Sequence, residues 1–153
     1  MTMGLALMFQ NILVLCLGNI CRSPIAEYLL KDFSQKNHLN LNIDSAGITA
    51  LVGWPAHELS VQIMQAQGID MSAHRAKQVT AAHVNAADLI LVMDDTQRHD
   101  LAKTFPQAAG KAFRLGEFTG ANIPDPYGEP FTAFEHAFSL ISEGLEPWYA
   151  QLK

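Results

Sequence analysis

Short apolar runs alternate along this chain with longer amphipathic stretches, and that alternation predicts the fold. Ile12-Leu13-Val14-Leu15 is a continuous apolar run of strand length, as expected for a parallel strand covered on both faces. Ser23 and Pro24 then suit the first positions of a helix whose Ile25, Leu29, Leu30 and Phe33 recur on one face until Asn37-His38. Leu41 to Ser45 alternates as a strand, and Ala46-Gly47 breaks it before an irregular segment through Pro55. A helix follows from about Ala56, with Leu59, Ile63 and Ala66 on one face and Gly68 just past its end. Met71 to Gln78 reads as irregular, Thr80 caps a short helical turn, and Asp88 to Met93 is the clearest buried strand in the chain.

Asp94 or Asp95 caps another short helix, which Phe105-Pro106 ends, and Ala112 to Leu115 is a weaker strand. Gly116 to Pro130, rich in glycine and proline, reads as a surface loop. Phe131, Phe134, Phe138, Ile141, Leu145 and Trp148 are spaced three and four apart, an amphipathic helix read as core, with Gly144 and Pro147 predicting a kink or an early end. Strands alternating with helices imply right-handed βαβ units, hence an α/β fold with an open four-stranded parallel sheet covered by helices on both faces. Ligands of such a sheet gather at the carboxyl ends of the strands.

Length and composition narrow the class. The 153 residues, 49% apolar, suit one compact domain, here residues 11–153, with residues 1–10 as a flexible extension. Met3 and Met8 offer alternative starts. Met1 to Leu7 is apolar but lacks the basic flank and cleavage pattern of a signal peptide, so neither a leader nor a membrane insertion is expected. A net charge of −5 without a basic cluster argues against nucleic acid as partner. The remaining histidines, His38, His57, His83, His99 and His136, form no pair at metal-ligand spacing and read as surface residues, so no metal is expected. The two cysteines, Cys16 and Cys21, would staple only a tiny loop, so their joint position points to chemistry rather than to a structural disulfide.

That chemistry centres on Cys16-Leu17-Gly18-Asn19-Ile20-Cys21-Arg22-Ser23, between the first strand and the first helix. The cysteine and the arginine close the ends of a loop whose backbone N–H groups, from Leu17 to Ser23, can converge on an anion at a helix N-terminus. The helix dipole and Arg22 both favour thiolate over thiol at Cys16, which makes it a candidate nucleophile. Arg22 can clamp two phosphoryl oxygens with its planar fork, which lysine cannot do, and Ser23 can donate a hydrogen bond to the sulfur. A cysteine and an arginine at this spacing also arise by chance, and a lone cytosolic cysteine is commonly a small buried hydrophobe. The context raises the odds, and the glycine-rich Gly-Lys-Ser/Thr pattern of a nucleotide P-loop is absent. A phosphate ester also needs an acid for its leaving group, and Asp125, stiffened by Pro124 and Pro126, is the best candidate. On local sequence alone Asp125-Pro126 is more simply a turn initiator.

The loop from Cys16 to Ser23 together with Asp125-Pro126-Tyr127 resembles the low-molecular-weight protein tyrosine phosphatase family. Ser45-Ala46-Gly47, His74-Arg75-Ala76 and Met93-Asp94 stand in the family's order and approximate spacing. The resemblance implies a Rossmann-like fold and a two-step, cofactor-free hydrolysis. In it Cys16 takes the phosphoryl group of phosphotyrosine while Asp125 protonates the phenol oxygen, and water then hydrolyses the cysteinyl phosphate with Asp125 as base. It also assigns Asn19, Ser23, Ser45 and His74 to a network that holds the loop. From its residues alone His74 reads as a surface histidine.

The family likeness also makes Cys21 a candidate redox guard that pairs with Cys16 under oxidation; the plain reading is a packed thiol. Similar arsenate reductases relay a disulfide through further cysteines, and none follows Cys21; a non-catalytic phosphotyrosine-binding module is the remaining alternative. Tyr127 matches an aromatic at the cleft rim. Leu51 stands where the eukaryotic branch carries an aromatic wall, which resembles the bacterial branch acting on tyrosine autokinases of capsule and exopolysaccharide export. A phosphotyrosine protein of that kind is therefore the expected partner, and the cytoplasm the expected compartment. Trp54, in Gly53-Trp54-Pro55, reads first as loop packing, with replacement of the missing aromatic wall as the alternative.

Overall fold

The computed structural model describes residues 9–153. Of the extension assigned to residues 1–10, residues 1–8 lie outside the described residues. Phe9 packs against the core, and the backbone N–H of Gln10 donates to the Asp88 carboxylate at 3.0 Å.

Strands β1 (Asn11–Cys16), β2 (Asn42–Gly47), β3 (Leu89–Val92) and β4 (Ala112–Arg114) pair in parallel in the order β2-β1-β3-β4. Among the described residues the helices are α1 (Arg22–Lys36), α2 (Glu58–Ala66), α3 (Ala81–Ala86), α4 (Asp95–Thr104) and α5 (Phe131–Leu152). Because side chains alternate across a strand, β1 feeds two cores. Ile12, Val14 and Cys16 join Ile25 and Leu30 of α1 and Ile141 and Leu145 of α5 on one face. Leu13 and Leu15 join Val84 of α3 and Leu101 of α4 on the other. The four-stranded α/β sandwich expected from the alternation is the one observed. β1 is buried on both faces, which is why its sequence is a continuous apolar run.

Several local expectations need correction. β2 does not break at Ala46-Gly47 but runs through them, because Gly47 stays in register with Cys16 and also bridges to Gln78. Ala66 is exposed; α2 buries Ser60, Ile63 and Met64 instead. The stretch from Gly116 to Pro130 is not wholly superficial: Ile123 is fully buried, and its N–H donates to Met93 O at 2.9 Å, an anchor at the carboxyl end of β3. His57 is half-buried and caps α2, its Nδ1 accepting from Leu59 N at 3.1 Å. His83 closes a capping box with Thr80 at the start of α3.

Neither Gly144 nor Pro147 ends the last helix, which continues to Leu152. Gly144 lies where α5 presses on the end of β4: a Cβ there would sit 2.6 Å from Leu115 Cδ2. One turn on, Trp148 Nε1 donates to Leu115 O at 2.9 Å and locks that approach. Pro147 removes only the bond to the carbonyl of Glu143, an exposed residue where the loss is cheapest. Gly144→Ala is therefore expected to overpack this contact by more than the roughly 0.5–1 kcal/mol that alanine gains inside a helix, for a net loss of up to about 2 kcal/mol. Thermal unfolding measures it, and an unchanged midpoint would refute the close-approach explanation.

Candidate active site

The segment between β1 and α1 is held from outside by its carbonyls. Cys16 O accepts from Ile48 N at 2.9 Å, Leu17 O from Thr49 N at 2.9 Å, and Gly18 O from Leu51 N at 3.0 Å. Asn19 O accepts from His74 Nε2 at 2.7 Å, Ile20 O from His57 N at 2.8 Å, and Cys21 O from Ser60 Oγ at 3.2 Å. In a trans peptide each carbonyl points away from the next N–H. Six outward carbonyls therefore turn the N–H groups of Leu17 through Arg22 to the inner side of the loop. The start of α1 adds to them, since Cys21 at its cap makes no side-chain capping bond and no acidic residue occupies its first turn. Gly47 makes the packing possible: a Cβ there would lie 2.8 Å from Leu17 O.

A chain of directed hydrogen bonds fixes the side chains beneath the loop. Asn19 takes a left-handed conformation, φ 62°, and is wholly buried. Its amide nitrogen donates to Ser23 Oγ at 2.7 Å and to Ser45 Oγ at 2.9 Å, and its Oδ1 accepts from Lys77 N at 3.0 Å. Each hydroxyl, having accepted from Asn19, keeps its own hydrogen to give. Ser45 donates to the Glu27 carboxylate, and Ser23 is left to donate to Cys16 Sγ, 3.0 Å away. His74, buried rather than superficial, donates from Nε2 to the loop and turns Nδ1 toward Glu27 at 3.8 Å. Glu27 thus gathers Ser45, His74 and Lys31, the last at 2.6 Å. Sequence reasoning missed Glu27, because Glu27 and Lys31 look like any exposed i, i+4 ion pair on a helix.

Arg22 is 3% exposed and spans the loop. Its Nη1 donates to Ile123 O at 2.8 Å, and its Nη2 lies 3.7 Å from Asp125 Oδ2. Among the described residues its Nε is buried without a hydrogen-bond partner, a costly state that an anion on that edge of the guanidinium would relieve. Asp125 has the geometry of a turn initiator, its Oδ1 accepting from Tyr127 N at 3.1 Å, and its half-exposed carboxyl faces Arg22. Between these groups lies a cleft of about 180 Å³ lined by Cys16, Cys21, Arg22 and Asp125, with Leu17, Gly18, Ile20, Thr49, Leu51 and Tyr127 completing its walls. Trp54 does not line it.

Cys21 shares the cleft but differs from its neighbour in surroundings. Burial, reinforced by Cys16 and Asp125 and opposed by Arg22, pushes its thiol up to about 12. It is therefore neutral at physiological pH and a poor nucleophile. Iodoacetamide at pH 8 is expected to leave Cys21 unmodified in the native protein and to label it on unfolding. Peptide mass mapping reads this directly, and rapid native labelling of Cys21 would contradict it. Among the described residues no group of three His, Cys, Asp or Glu side chains is placed to hold a metal ion. No helix among them is long and apolar enough to cross a membrane.

Fold and cleft together define an open parallel α/β protein whose first strand-to-helix loop lies at the carboxyl edge of the sheet and lines the cleft. The model of the low molecular weight phosphotyrosine protein phosphatase family matches residues 11–153. The chain belongs to that family, and is thus a protein-tyrosine-phosphatase, a phosphoric monoester hydrolase. It is 48% identical over 92% of its length, and 96% of the relative's, to the low molecular weight protein-tyrosine-phosphatase Ptp of Acinetobacter johnsonii. It is 37% identical to the phosphatase Wzb of Salmonella typhimurium over 92% of this chain and 93% of that one. The structure of Vibrio vulnificus Wzb in complex with benzylphosphonate superposes with a TM-score of 0.88 at 38% identity, covering 94% of this chain and 99% of that one.

Proposed function

We propose that the protein hydrolyses phosphotyrosine through a cysteinyl phosphate on Cys16, with Arg22 as clamp and Asp125 as acid and then base. The observation that carries this reading is that Cys16, Arg22 and Asp125 line one cleft, with the buried Ser23 hydroxyl 3.0 Å from Cys16 Sγ behind it. In the first step the sulfur attacks phosphorus, the P–O bond to the aryl group breaks, and the Asp125 proton goes to the departing phenolate oxygen. In the second, Asp125 takes a proton from water, the oxygen attacks phosphorus, and Cys16 leaves as thiolate beside the Ser23 donor. The inward N–H groups and Arg22 oppose the charge that gathers on the equatorial oxygens in both steps. Asn19, Ser45, His74 and Glu27 act by holding the loop rather than by touching substrate.

The benzylphosphonate bound by the Vibrio vulnificus relative, an aromatic ring one methylene from a phosphonate, supports an aromatic phosphate monoester as the ligand here. A narrow cleft walled by Leu51 and Tyr127 favours the reach of phosphotyrosine over phosphoserine. Likeness to Wzb supports a cytoplasmic tyrosine autokinase of polysaccharide export as the physiological substrate. Cys21 belongs to the same proposal as a redox guard: peroxide oxidises Cys16 to the sulfenic acid, and the Cys21 thiol, slow toward outside reagents but lining the same cleft, then displaces water to form the disulfide.

The test is steady-state hydrolysis of paired phosphotyrosine and phosphoserine peptides with excess chelator. The expected result is phosphate release from the first alone, undiminished by chelation. Tight binding without turnover would establish a binding module instead.

A further inference from the structure

Large hydrophobic side chains are rarely left exposed together without a reason. Among the described residues six are exposed, and four of them, Leu17, Val52, Trp54 and Tyr127, belong to the loops that surround the cleft. Trp54 is 51% exposed, although its backbone is pinned: its N–H donates to Leu51 O at 3.0 Å, and its carbonyl accepts from Ala76 N at 2.8 Å. The indole is therefore held out by a fixed main chain. It lines a groove of about 460 Å³ with Pro55, His57, Glu58 and Tyr127, and this groove shares Ile20 and Tyr127 with the cleft. The floor is stiff as well. The His57 ring packs on Phe134 at 4.6 Å and meets Tyr127 edge-on at 5.9 Å.

We infer that this groove is a specificity subsite taking a large apolar side chain that flanks the phosphotyrosine of the substrate. The inference rests on the phosphotyrosine reading above, and the occupant follows from continuity: one aromatic, Tyr127, walls both chambers. A ligand filling the first thus leads its chain into the second within about one or two residues of extended peptide. Trp54, Pro55 and Tyr127 offer apolar surface to such a side chain, and Glu58 disfavours an acidic one.

The test uses non-hydrolysable phosphonate analogues of phosphotyrosine peptides that differ only in carrying leucine or glycine next to the phosphonate. Affinity is read from indole fluorescence where Trp54 is present and from calorimetry in the variants. The wild-type protein is expected to bind the leucine peptide about tenfold more tightly. Trp54→Ala should lose that preference and Trp54→Phe retain it, with para-nitrophenyl phosphate turnover unchanged in both variants. Equal binding of the two peptides by the wild type would overturn the subsite, as would a preference that survives Trp54→Ala. A dimer abolished by Trp54→Ala, with no peptide preference, would assign the groove to a second copy and equally overturn it. Loss of phosphatase function altogether would appear separately, as absent para-nitrophenyl phosphate turnover.

Discussion

Cys16→Ser is expected to lower kcat on phosphotyrosine peptides by at least about 10⁴-fold while leaving the cleft intact. Serine keeps the size of the side chain, and the carbonyl bonds that hold the loop do not involve the sulfur. The hydroxyl, however, is not a thiolate, and no neighbouring base is placed to deprotonate it: Ser23 already donates toward position 16. Phosphate or vanadate should still bind, because the inward N–H groups and Arg22 remain. Full activity in this variant would remove Cys16 from the reaction, whereas lost activity together with lost oxyanion binding would indicate a collapsed loop.

Asp125→Ala should show the second largest effect, and its size should depend on the leaving group. With phenyl phosphate the departing oxygen is basic and needs the proton that Asp125 supplies, so a loss of about 10²- to 10⁴-fold is expected. With esters of acidic phenols the leaving group departs unaided, and the first step should be nearly spared. The carboxyl is half-exposed, and its removal leaves Arg22 bonded to Ile123 O, so the fold should survive. The comparison is made in kcat/KM, which reports only the steps through the first, and equal losses in it across the series would assign Asp125 to positioning rather than to proton transfer.

The sheet was legible because β1 and β3 are buried on both faces and so read as unbroken apolar runs. The helix starts were legible too, through Thr80 and Asp94 at their caps. What failed were positions whose role lies in a distant partner. Gly144 and Pro147 look like breakers in isolation, but close contact with Leu115 and the Trp148 bond carry α5 past them. Ile123 sits in a loop-like sequence yet is a buried anchor, because it links β3 to Arg22 and so carries Asp125 to the cleft.

The candidate site divides in the same way. Cys16, Arg22 and Ser23 are adjacent in sequence, so one strand-loop-helix unit displays their chemistry. Asp125 is separated from Arg22 by about a hundred residues; its two flanking prolines make it the best candidate acid, but local sequence alone favours a turn, and the family resemblance decides between the two. Glu27 had no sequence signal beyond an ordinary ion pair, since its value comes from Ser45 and His74 arriving from other elements. Trp54 matches neither loop packing nor a wall of the cleft: its backbone is bonded but its indole is exposed, and it does not line the cleft.

Rapid acid quench of Asp125→Ala turning over para-nitrophenyl phosphate, followed by peptide mass analysis, tests the covalent route most directly. In that variant the first step is spared by the acidic leaving group, while the second lacks its base, so the intermediate accumulates. The expected result is one phosphoryl group on the peptide containing Cys16, absent in Cys16→Ser and discharged on further incubation. Continued turnover with no phosphorylated cysteine at any quench time would contradict the mechanism.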